Sequence, residues 1–317
     1  MRLISLILLF LLSGTVSAQK VEWYTTTQTS PWVKQKVKPE RATTGAEIVL
    51  DPTQRLQLIT GIGGCFNEMG WDALNALSAE DREAVLQAIF SKDGACFNYC
   101  RLPMGANDFA MSFYSSADVA GDFNLVNFNI DRDRYILIPY IKAARQINPD
   151  LRIWASPWCP PAWMKTNNHY ASAVRPSGEK DVNGLLPCEA IAEFSTGFRM
   201  EEGYLKTYAD YFARFIKAYE AEGLPLECIH VQNEPCSNQV FPSCKWRTED
   251  LTFFLGHYLG PTFERENIKT DIYFGTINTS NPDYVRTALR DEQAAKYIKG
   301  VGFPVSYTHL TLPTNRE

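Results

Sequence analysis

The sequence predicts an α/β protein built around a parallel sheet, and three observations support this fold class. A pattern of strand, loop and helix repeats about five and a half times between residues 56 and 303. The strands are short apolar runs, as expected for parallel strands buried on both faces. The helices between them begin at capping residues and carry one apolar face. A closed (β/α)8 TIM barrel of about 250 residues would need two more units, so we expect an incomplete barrel with about six of the eight.

The strands and helices can be placed from apolar runs, caps and breakers. The predicted strands are residues 56–59, 98–104, 151–156, a run that ends near Glu234, residues 271–276, and a run that begins at Gly300. The predicted helices are one that is opened by Ser78, then residues 136–147, 204–219, 248–259 and 282–298. Gly260 and Pro261 should stop the fourth of these helices. Residues 165–200 form a long connection with many Gly and Pro, which indicates a functional loop or a lid.

Glu234 is the residue around which the functional interpretation is organised. It stands at the end of an apolar run, and Pro235 after it cannot donate to a sheet ladder. A carboxylate at the end of a buried strand costs free energy unless it is hydrogen-bonded or functional. In barrels of alternating strands and helices, catalytic groups lie at these strand ends. The alternative is a strand-end glutamate that pairs with a nearby arginine.

The glycine-rich stretch at residues 60–66 raises the alternative of a nucleotide-binding α/β protein. Gly61, Gly63 and Gly64 follow a predicted strand, as phosphate-binding glycines do. Their spacing matches neither the Walker pattern nor the dinucleotide pattern, which disfavours that class. We therefore expect these glycines to permit close packing at the mouth of the barrel.

Composition excludes some partners and favours others. The 317 residues contain 31 Lys and Arg against 36 Asp and Glu, and the resulting charge of −5 is spread along the chain. Without a basic run, nucleic acid and anionic membranes are not expected partners. Hydrophobic residues make up 45% of the chain and aromatic residues 13%, enough for a large core. The 7 Trp and 15 Tyr fit a sugar-binding cleft, although most of them should be core residues.

The N-terminus has the pattern of a secretory signal. Arg2 precedes an apolar run over residues 3–12, and Val16-Ser17-Ala18 is a small-residue cleavage site. The run is too short to span a membrane, so we predict a secreted or periplasmic protein with a signal peptide at residues 1–18. Residues 19–55 are rich in Thr and alternate in polarity, which indicates an N-terminal β segment, with residues 47–50 as a strand.

Cysteine usage does not point to a metal. Eight cysteines permit about 105 complete pairings, and the sequence does not choose among them. There is no Cys-x-x-Cys and histidine is scarce, so no zinc site is expected. Cysteines within predicted strands are best explained as small buried apolar side chains. We expect neither a metal nor another cofactor.

Five motifs in order resemble glycoside hydrolase family 30, the glucosylceramidase-like retaining β-glycosidases. The likeness covers residues 56–303, including the helix end at residues 294–298. The five motifs are Gly61-Ile62-Gly63-Gly64, residues 101–109, Ala155-Ser156-Pro157-Trp158, residues 161–167 and Gln232-Asn233-Glu234-Pro235. The resemblance implies an O-glycosyl hydrolase with a TIM barrel and a β side domain, to which residues 19–55 contribute strands.

By this resemblance Glu234 is the catalytic acid/base and Asn233 contacts the sugar 2-hydroxyl. Asp108 and Trp158 hold hydroxyls on the far side of the glucose ring. These residue types suit the chemistry, because a retaining glycosidase needs one carboxyl group to protonate the leaving oxygen and a second to attack the anomeric carbon. For Asp108 a loop or helix-cap role is the alternative, and for Trp158 a place in the core.

The resemblance fails after Phe303. In the family the nucleophile is a glutamate on the seventh barrel strand, and residues 304–317 have no family likeness and no helical period. We interpret them as a foreign tail, and we expect a C-terminally truncated barrel that is inactive and poorly stable, since open sheet edges stay unpaired.

The sequence therefore predicts a retaining hydrolase of β-glucosidic bonds. Its substrate would be glucosylceramide, a β-1,6-glucan or another β-glucoside or β-xyloside, with a glucan favoured for an exported protein. The alternative from another class is a non-catalytic carbohydrate-binding protein, which would bind glucan without turnover.

Overall fold

The structure is a computed structural model that describes residues 21–38, 51, 53–175 and 183–304. The predicted signal peptide, the strand predicted at residues 47–50 and residues 305–317 lie outside these ranges. Two units can be distinguished, Met1–Leu58 and Ile59–Glu317. In the first, β1 (Trp23–Thr25) and β2 (Val33–Gln35) pair antiparallel, with Tyr24 opposite Lys34. This strand pair agrees with the predicted N-terminal β strands.

The second unit is built on a parallel sheet, as predicted. Its strands are β3 (Tyr99–Pro103), β4 (Arg152–Ser156), β5 (Cys228–His230), β6 (Asp271–Thr276) and β7 (Ile298–Gly302). They lie side by side in chain order, and every neighbouring pair is parallel. Consecutive parallel strands joined by helices are the arrangement of a TIM barrel. The prediction of an incomplete α/β barrel is therefore confirmed.

Helices connect the strands and cover the outer face of the sheet. They are α1 (Glu68–Asn75), α2 (Ala79–Phe90), α3 (Asp131–Tyr135), α4 (Leu137–Ile147), α5 (Glu202–Ala221), α6 (Thr248–Phe254), α7 (Gly260–Arg265), α8 (Asp283–Arg290) and α9 (Glu292–Ala295). Ser78 caps α2 as predicted, because its side chain accepts a hydrogen bond from the Asp81 backbone N–H. The aromatic face of α5 is core, with Tyr208, Phe212 and Phe215 fully buried.

The first predicted strand is wrong. Residues 56–59 form no strand, and Leu56, Leu58 and Ile59 are 91%, 86% and 73% exposed. The edge of β3 is occupied instead by residues 62–66, through a bridge between Cys65 and Arg101. The apolar alternation at residues 56–59 is typical of a strand. The segment that pairs with the sheet is instead the glycine-rich one that follows it.

The glycines at residues 61–64 act through close packing, as predicted, but at Tyr99, the first residue of β3, and not at the mouth of the barrel. A Cβ on Gly63 would lie 2.1 Å from the Tyr99 carbonyl oxygen, and one on Gly61 would lie 2.5 Å from Tyr99 Cβ. Neither contact is possible for a larger residue at the observed spacing. Gly64 is less restricted, because its nearest neighbour is the Phe97 ring at 3.4 Å.

Two predicted helix boundaries are also wrong. Gly260 and Pro261 do not end a helix, because α6 continues through a π-helical segment (Leu255–Leu259) into α7. Pro261 has no N–H to donate to the preceding turn, and the segment directly before it is π-helical, so the regular i→i−4 hydrogen bonds are already interrupted there. The helix predicted over residues 282–298 divides into α8 and α9 at Asp291, whose extended backbone and side chain cap the second helix.

The long connection after β4 is fixed by a buried lysine. Lys165 is 0% exposed. Its ammonium donates to the carbonyl oxygens of Tyr170, Ala171 and Ser243 at 3.0, 3.1 and 2.7 Å, and to Ser172 Oγ at 3.2 Å. Lys165 therefore ties the loop that follows β4 to the loop that follows β5.

Candidate active site

Glu234 stands at the carboxyl edge of the sheet in an unusual backbone conformation. Its φ is +46°, in a region that residues other than glycine seldom adopt. The Glu234 N–H donates to the Thr276 carbonyl oxygen at 3.0 Å, and Thr276 Oγ1 lies 3.2 Å away. The conformation is thus held by the end of the neighbouring strand, β6. Residues in such regions are concentrated at functional sites.

Asn233 is buried and its side chain is bound on two sides. Its Oδ1 accepts from Arg101 Nη2 at 2.7 Å and from Thr276 Oγ1 at 3.0 Å. Its backbone N–H donates to the Pro157 carbonyl oxygen at 2.9 Å. The residue is 7% exposed, so contacts from β3, β4 and β6 fix its position. Both side-chain hydrogen bonds that Asn233 makes to described residues are accepted by Oδ1, and Nδ2 makes none to them.

Arg101 is the residue that joins these strand ends. It donates to Ser156 Oγ from Nε at 3.1 Å and from Nη2 at 2.5 Å, in addition to its bond with Asn233. Its guanidinium carbon lies 3.8 Å from the centroid of the Trp158 ring and 4.8 Å from that of Trp154. One cation therefore connects β3 with both β4 and the end of β5.

Trp158 belongs to the same edge. It is 6% exposed, with its ring against Arg101 and its carbonyl oxygen accepting from Gln232 Nε2 at 2.7 Å. Trp158 is therefore buried as a core residue would be, yet it packs against the group that binds Asn233.

Asp108 follows β3 and remains open to solvent. The local turn uses its neighbour, since Asn107 Oδ1 accepts the Phe109 N–H at 3.0 Å. The Asp108 carboxylate is therefore not needed to cap that turn, which removes one structural explanation for it. Partial burial raises the pKa of Asp108, whereas its own backbone N–H and the charge of Arg101 lower it.

The pKa of Glu234 is raised. Burial is the largest cause, the negative charge of Asp108 adds to it, and the positive charge of Arg101 acts in the opposite direction. These influences show that the structure brings Glu234, Asp108 and Arg101 within electrostatic reach of one another. A carboxyl group with a raised pKa keeps its proton to higher pH, which is what a general acid requires.

The alternative for Glu234, a strand-end ion pair, is not observed. No salt bridge involves Glu234 in the part of the chain that the structure describes, and Arg101 is directed to Asn233 and Ser156. The half-buried carboxyl thus lacks the partner that would explain it as a structural group.

Arg101 is the residue of this cluster whose contacts were not expected from the sequence, although it lies within one of the five motifs. One feature of the sequence indicates them. An arginine inside a predicted buried strand needs a specific partner, because its charge is removed from water.

A cavity of about 530 Å³ lies away from this edge. It is lined by residues of α5 and α7 and contains none of the predicted site residues. Four of its charged groups form ion pairs, Arg265 with Asp210 at 2.6 Å and Lys217 with Glu266 at 2.7 Å. Size alone therefore does not identify the site in this molecule.

The described residues contain neither a cluster of metal ligands nor a helix that could span a membrane. Within residues 21–304, apart from the gaps given above, no group of three or more His, Cys, Asp or Glu could hold a metal ion. All eight cysteines have free thiols, and Cys100, Cys159, Cys228 and Cys244 are buried. Over the same part of the chain, no helix is both long and apolar enough to cross a membrane.

The parallel sheet places Glu234 at its carboxyl edge, where the active sites of α/β-barrel enzymes lie. Residues 59–184 and 190–311 match the glycosyl hydrolase family 30 TIM-barrel domain. The chain therefore belongs to this family, and the resemblance predicted from its motifs is confirmed.

Relatives of two named activities share the fold. Lysosomal acid glucosylceramidase of Mus musculus is 27% identical over 274 residues, which are 84% of this chain and 49% of the relative. An endo-1,6-β-D-glucanase of Neurospora crassa is 27% identical over 256 residues, 80% of this chain and 48% of the relative. The solved structure of an endo-β-1,6-glucanase superposes with a TM-score of 0.68 at 26% identity, covering 89% of this chain and 59% of that one. The chain thus spans about half the length of the relatives that it matches.

Proposed function

We propose that Glu234 is the general acid/base of a retaining glycosidase that cleaves β-glucosidic bonds. The observation that carries this proposal is a half-buried glutamate, held at the edge of the sheet by Thr276, whose pKa is raised and which has no ion-pair partner among the described residues. Membership of family 30 supports the same reaction class. The proposal concerns the whole protein, of which this chain supplies the acid/base side.

The neighbouring residues have separate roles in this proposal. Glu234 donates its proton to the glycosidic oxygen as the bond breaks, and then accepts a proton from water in the second step. Asn233 donates from Nδ2 to the sugar 2-hydroxyl, while Arg101 keeps Oδ1 occupied. Asp108 accepts hydroxyl groups of the sugar at the solvent-open side, and Trp158 shapes the adjacent wall.

The second carboxylate of the reaction comes from outside the described residues in this proposal. A retaining glycosidase needs its two carboxyl groups about 5–5.5 Å apart. Among the described residues, Asp108 is the carboxylate whose charge raises the pKa of Glu234, and it is assigned to sugar binding. We therefore expect the 317-residue chain alone to be inactive, because this proposal assigns no described carboxylate to the role of the nucleophile.

A β-1,6-glucan is the favoured substrate, with glucosylceramide as the competing one. Relatives bear both names, so their similarity does not choose. The signal-like residues 1–18 favour an exported protein, secreted or periplasmic, which would meet glucan outside the cell.

The test compares two glutamates at opposite ends of the same strand. Glu234→Gln in the whole protein should lower kcat on β-glucan about 10²- to 10⁴-fold, because general acid catalysis contributes that much. Glu227→Gln is the matched control, since Glu227 precedes β5 at its amino end and pairs with Arg152. The product released should be the β-anomer, as followed by NMR.

Three results would contradict the proposal. Equal activity of the two variants would remove Glu234 from the reaction. Binding of glucan without turnover by the whole protein would favour the non-catalytic carbohydrate-binding alternative. Hydrolysis of an aryl β-glucoside by the 317-residue chain would show that the second carboxylate lies within it.

A further inference from the structure

Thr276 stands at the end of β6, beside the two residues that carry the proposed chemistry. A bridge pairs Thr276 with Asn233 across the parallel sheet, and the Thr276 N–H donates to the Gln232 carbonyl oxygen at 3.0 Å. Thr276 is 5% exposed, and a buried hydroxyl is expected to find its partners within the protein. The surroundings of this hydroxyl are therefore set by the sheet.

The Thr276 hydroxyl connects Glu234 to Asn233. Oγ1 accepts from the Glu234 backbone N–H at 3.2 Å and donates to Asn233 Oδ1 at 3.0 Å. A hydroxyl has one proton, and the backbone N–H cannot accept it, so this proton is directed to Oδ1. The same hydroxyl therefore contacts the backbone of the proposed acid and the side chain of the residue before it.

The methyl group of Thr276 fixes the direction of this hydroxyl. Thr276 is paired with Gly302 of β7, and a Cβ at residue 302 would lie 3.2 Å from Thr276 Cγ2. The methyl group therefore faces β7, while Oγ1 faces the end of β5. β-Branched side chains are restricted at χ1, so packing of the methyl group restricts the hydroxyl as well.

Two donors from different strands hold the amide of Asn233. Arg101 Nη2 and Thr276 Oγ1 both donate to Oδ1, at 2.7 and 3.0 Å. The χ2 torsion of asparagine is broad, so a single bond would leave the amide plane free to turn, whereas two bonds fix it. Nδ2 is the other arm of the same planar group, with two protons to donate. The direction in which Nδ2 donates is therefore set by Thr276 together with Arg101.

We propose that Thr276 is a positioning residue for recognition of the sugar 2-hydroxyl, because its hydroxyl fixes the amide plane from which Asn233 donates. The inference rests on the proposed function, in which Asn233 binds that hydroxyl. Hydrogen bonds to the 2-hydroxyl strengthen in the transition state of glycoside hydrolysis. A misaligned amide therefore lowers kcat/KM for a substrate that carries the 2-hydroxyl and spares one that lacks it, which a purely structural role of Thr276 would not do.

The test compares two substrates of the whole protein, 4-nitrophenyl β-glucoside and its 2-deoxy analogue. The measured quantity is the ratio of kcat/KM for the first to kcat/KM for the second, which does not depend on how much of a variant is folded. Thr276→Val keeps the shape and removes the hydroxyl, and it should lower this ratio about tenfold. Thr276→Ala should lower the ratio as far. Thr276→Ser keeps the hydroxyl and should stay within about threefold of wild type.

Thr270→Val is the matched control. Thr270 directly precedes β6 at the opposite end of the strand, and its hydroxyl donates to the Leu226 carbonyl oxygen at 3.1 Å. This variant also removes one threonine hydroxyl, but it should leave the ratio unchanged. In an Asn233→Ala background, Thr276→Val should produce no further change in the ratio, because the amide that it positions is gone.

The outcomes separate this inference from the function on which it rests. If Asn233→Ala lowers the ratio but Thr276→Val and Thr276→Ala leave it at the wild-type value, the positioning role is wrong and the proposed function stands. An equal fall with and without Asn233 would show that Thr276 does not act through the amide, which also overturns the inference. If Asn233→Ala itself leaves the ratio unchanged, the role of Asn233 in the proposed function fails, and the inference fails with it.

Discussion

The guanidinium of Arg101 donates to Asn233 Oδ1 at 2.7 Å, although the two residues are 132 positions apart in the chain. This bond joins β3 to the end of β5 and orients the residue directly before Glu234. The same cation lowers the pKa of Glu234, against the effects of burial and Asp108. Arg101 thus influences both the position and the protonation of the proposed acid.

Replacing Arg101 should therefore raise the pKa of Glu234 further. In Arg101→Met the cation that favours the carboxylate is lost, while burial and the charge of Asp108 remain. The pKa can be followed by ¹³C NMR of the glutamate side chains across pH. Arg152→Met is the control, because Arg152 pairs with Glu227 at the amino end of β5. An unchanged or lowered pKa of Glu234 in Arg101→Met would contradict the assigned geometry.

Asp133 should make the stability of the protein fall as pH rises. It is 1% exposed and accepts from the Tyr114 and Tyr219 hydroxyls at 3.1 and 2.7 Å. Burial raises its pKa from 3.8 to about 6. The folded protein therefore holds a proton that the unfolded chain releases between these values, and stability is lost as pH increases through that window.

The measurement is the free energy of unfolding of wild type relative to Asp133→Asn. This difference should fall by roughly 3 kcal/mol between about pH 4 and pH 7, with no change below the lower value. Burial lowers the pKa of His230 to about 4, so the contribution of His230 to stability increases with pH. This contribution is the same in both proteins and cancels in the difference. If the difference in unfolding free energy stays constant or increases with pH, the pKa of Asp133 is not raised in the folded protein.

Lys165→Met should destabilise the carboxyl-edge loops. The methionine fills similar space but removes the four hydrogen bonds of the buried ammonium, at an expected cost of about 2–4 kcal/mol. The three carbonyl oxygens each keep one other donor. Lys142→Met is the matched control, since Lys142 is exposed and pairs with Glu222, and should change stability by less than about 0.5 kcal/mol. Denaturant titration compares the two, and equal stabilities would show that the buried ammonium is dispensable.

Gly63→Ala should destabilise the protein more than Gly64→Ala. The new methyl at residue 63 would meet the Tyr99 carbonyl oxygen, a backbone atom that cannot rotate away, and about 1–3 kcal/mol is expected. At residue 64 the nearest atom belongs to the Phe97 ring at an ordinary contact distance. Thermal melting of both variants decides the point, and a larger effect at residue 64 would contradict the packing described for this edge.

The sheet and the position of Glu234 were predictable because both depend on local sequence. Apolar runs mark strands that are buried on both faces. The strand expected to end near Glu234 ends earlier, at His230, and a single bridge between Asn233 and Thr276 keeps the segment before Pro235 at the sheet edge. The strand expected at residues 56–59 failed because periodicity does not reveal which segment reaches the edge of β3. That choice depends on the space beside Tyr99, which only glycine can fill.

The contacts of Arg101 could not be predicted in the same way. Arg101 binds Ser156 on β4 and Asn233 after β5, and both are distant from it in the sequence. The helix end predicted at Gly260 and Pro261 failed for a similar reason. These residue types usually end a helix, but here the helix continues because of how it packs. A Cβ on Gly260 would lie 2.1 Å from the Tyr297 ring, so the glycine is needed for the contact rather than for a stop.

Chemical rescue of Glu234→Ala in the whole protein tests the acid/base assignment most directly. With 4-nitrophenyl β-glucoside the first step needs little acid assistance, so the glucosyl-enzyme should form and then wait for a base to activate water. Added azide, which needs no such base, should accelerate turnover and yield β-glucosyl azide. Wild-type turnover by Glu234→Ala without azide, or a variant that azide does not rescue, would contradict the role of Glu234 as acid/base.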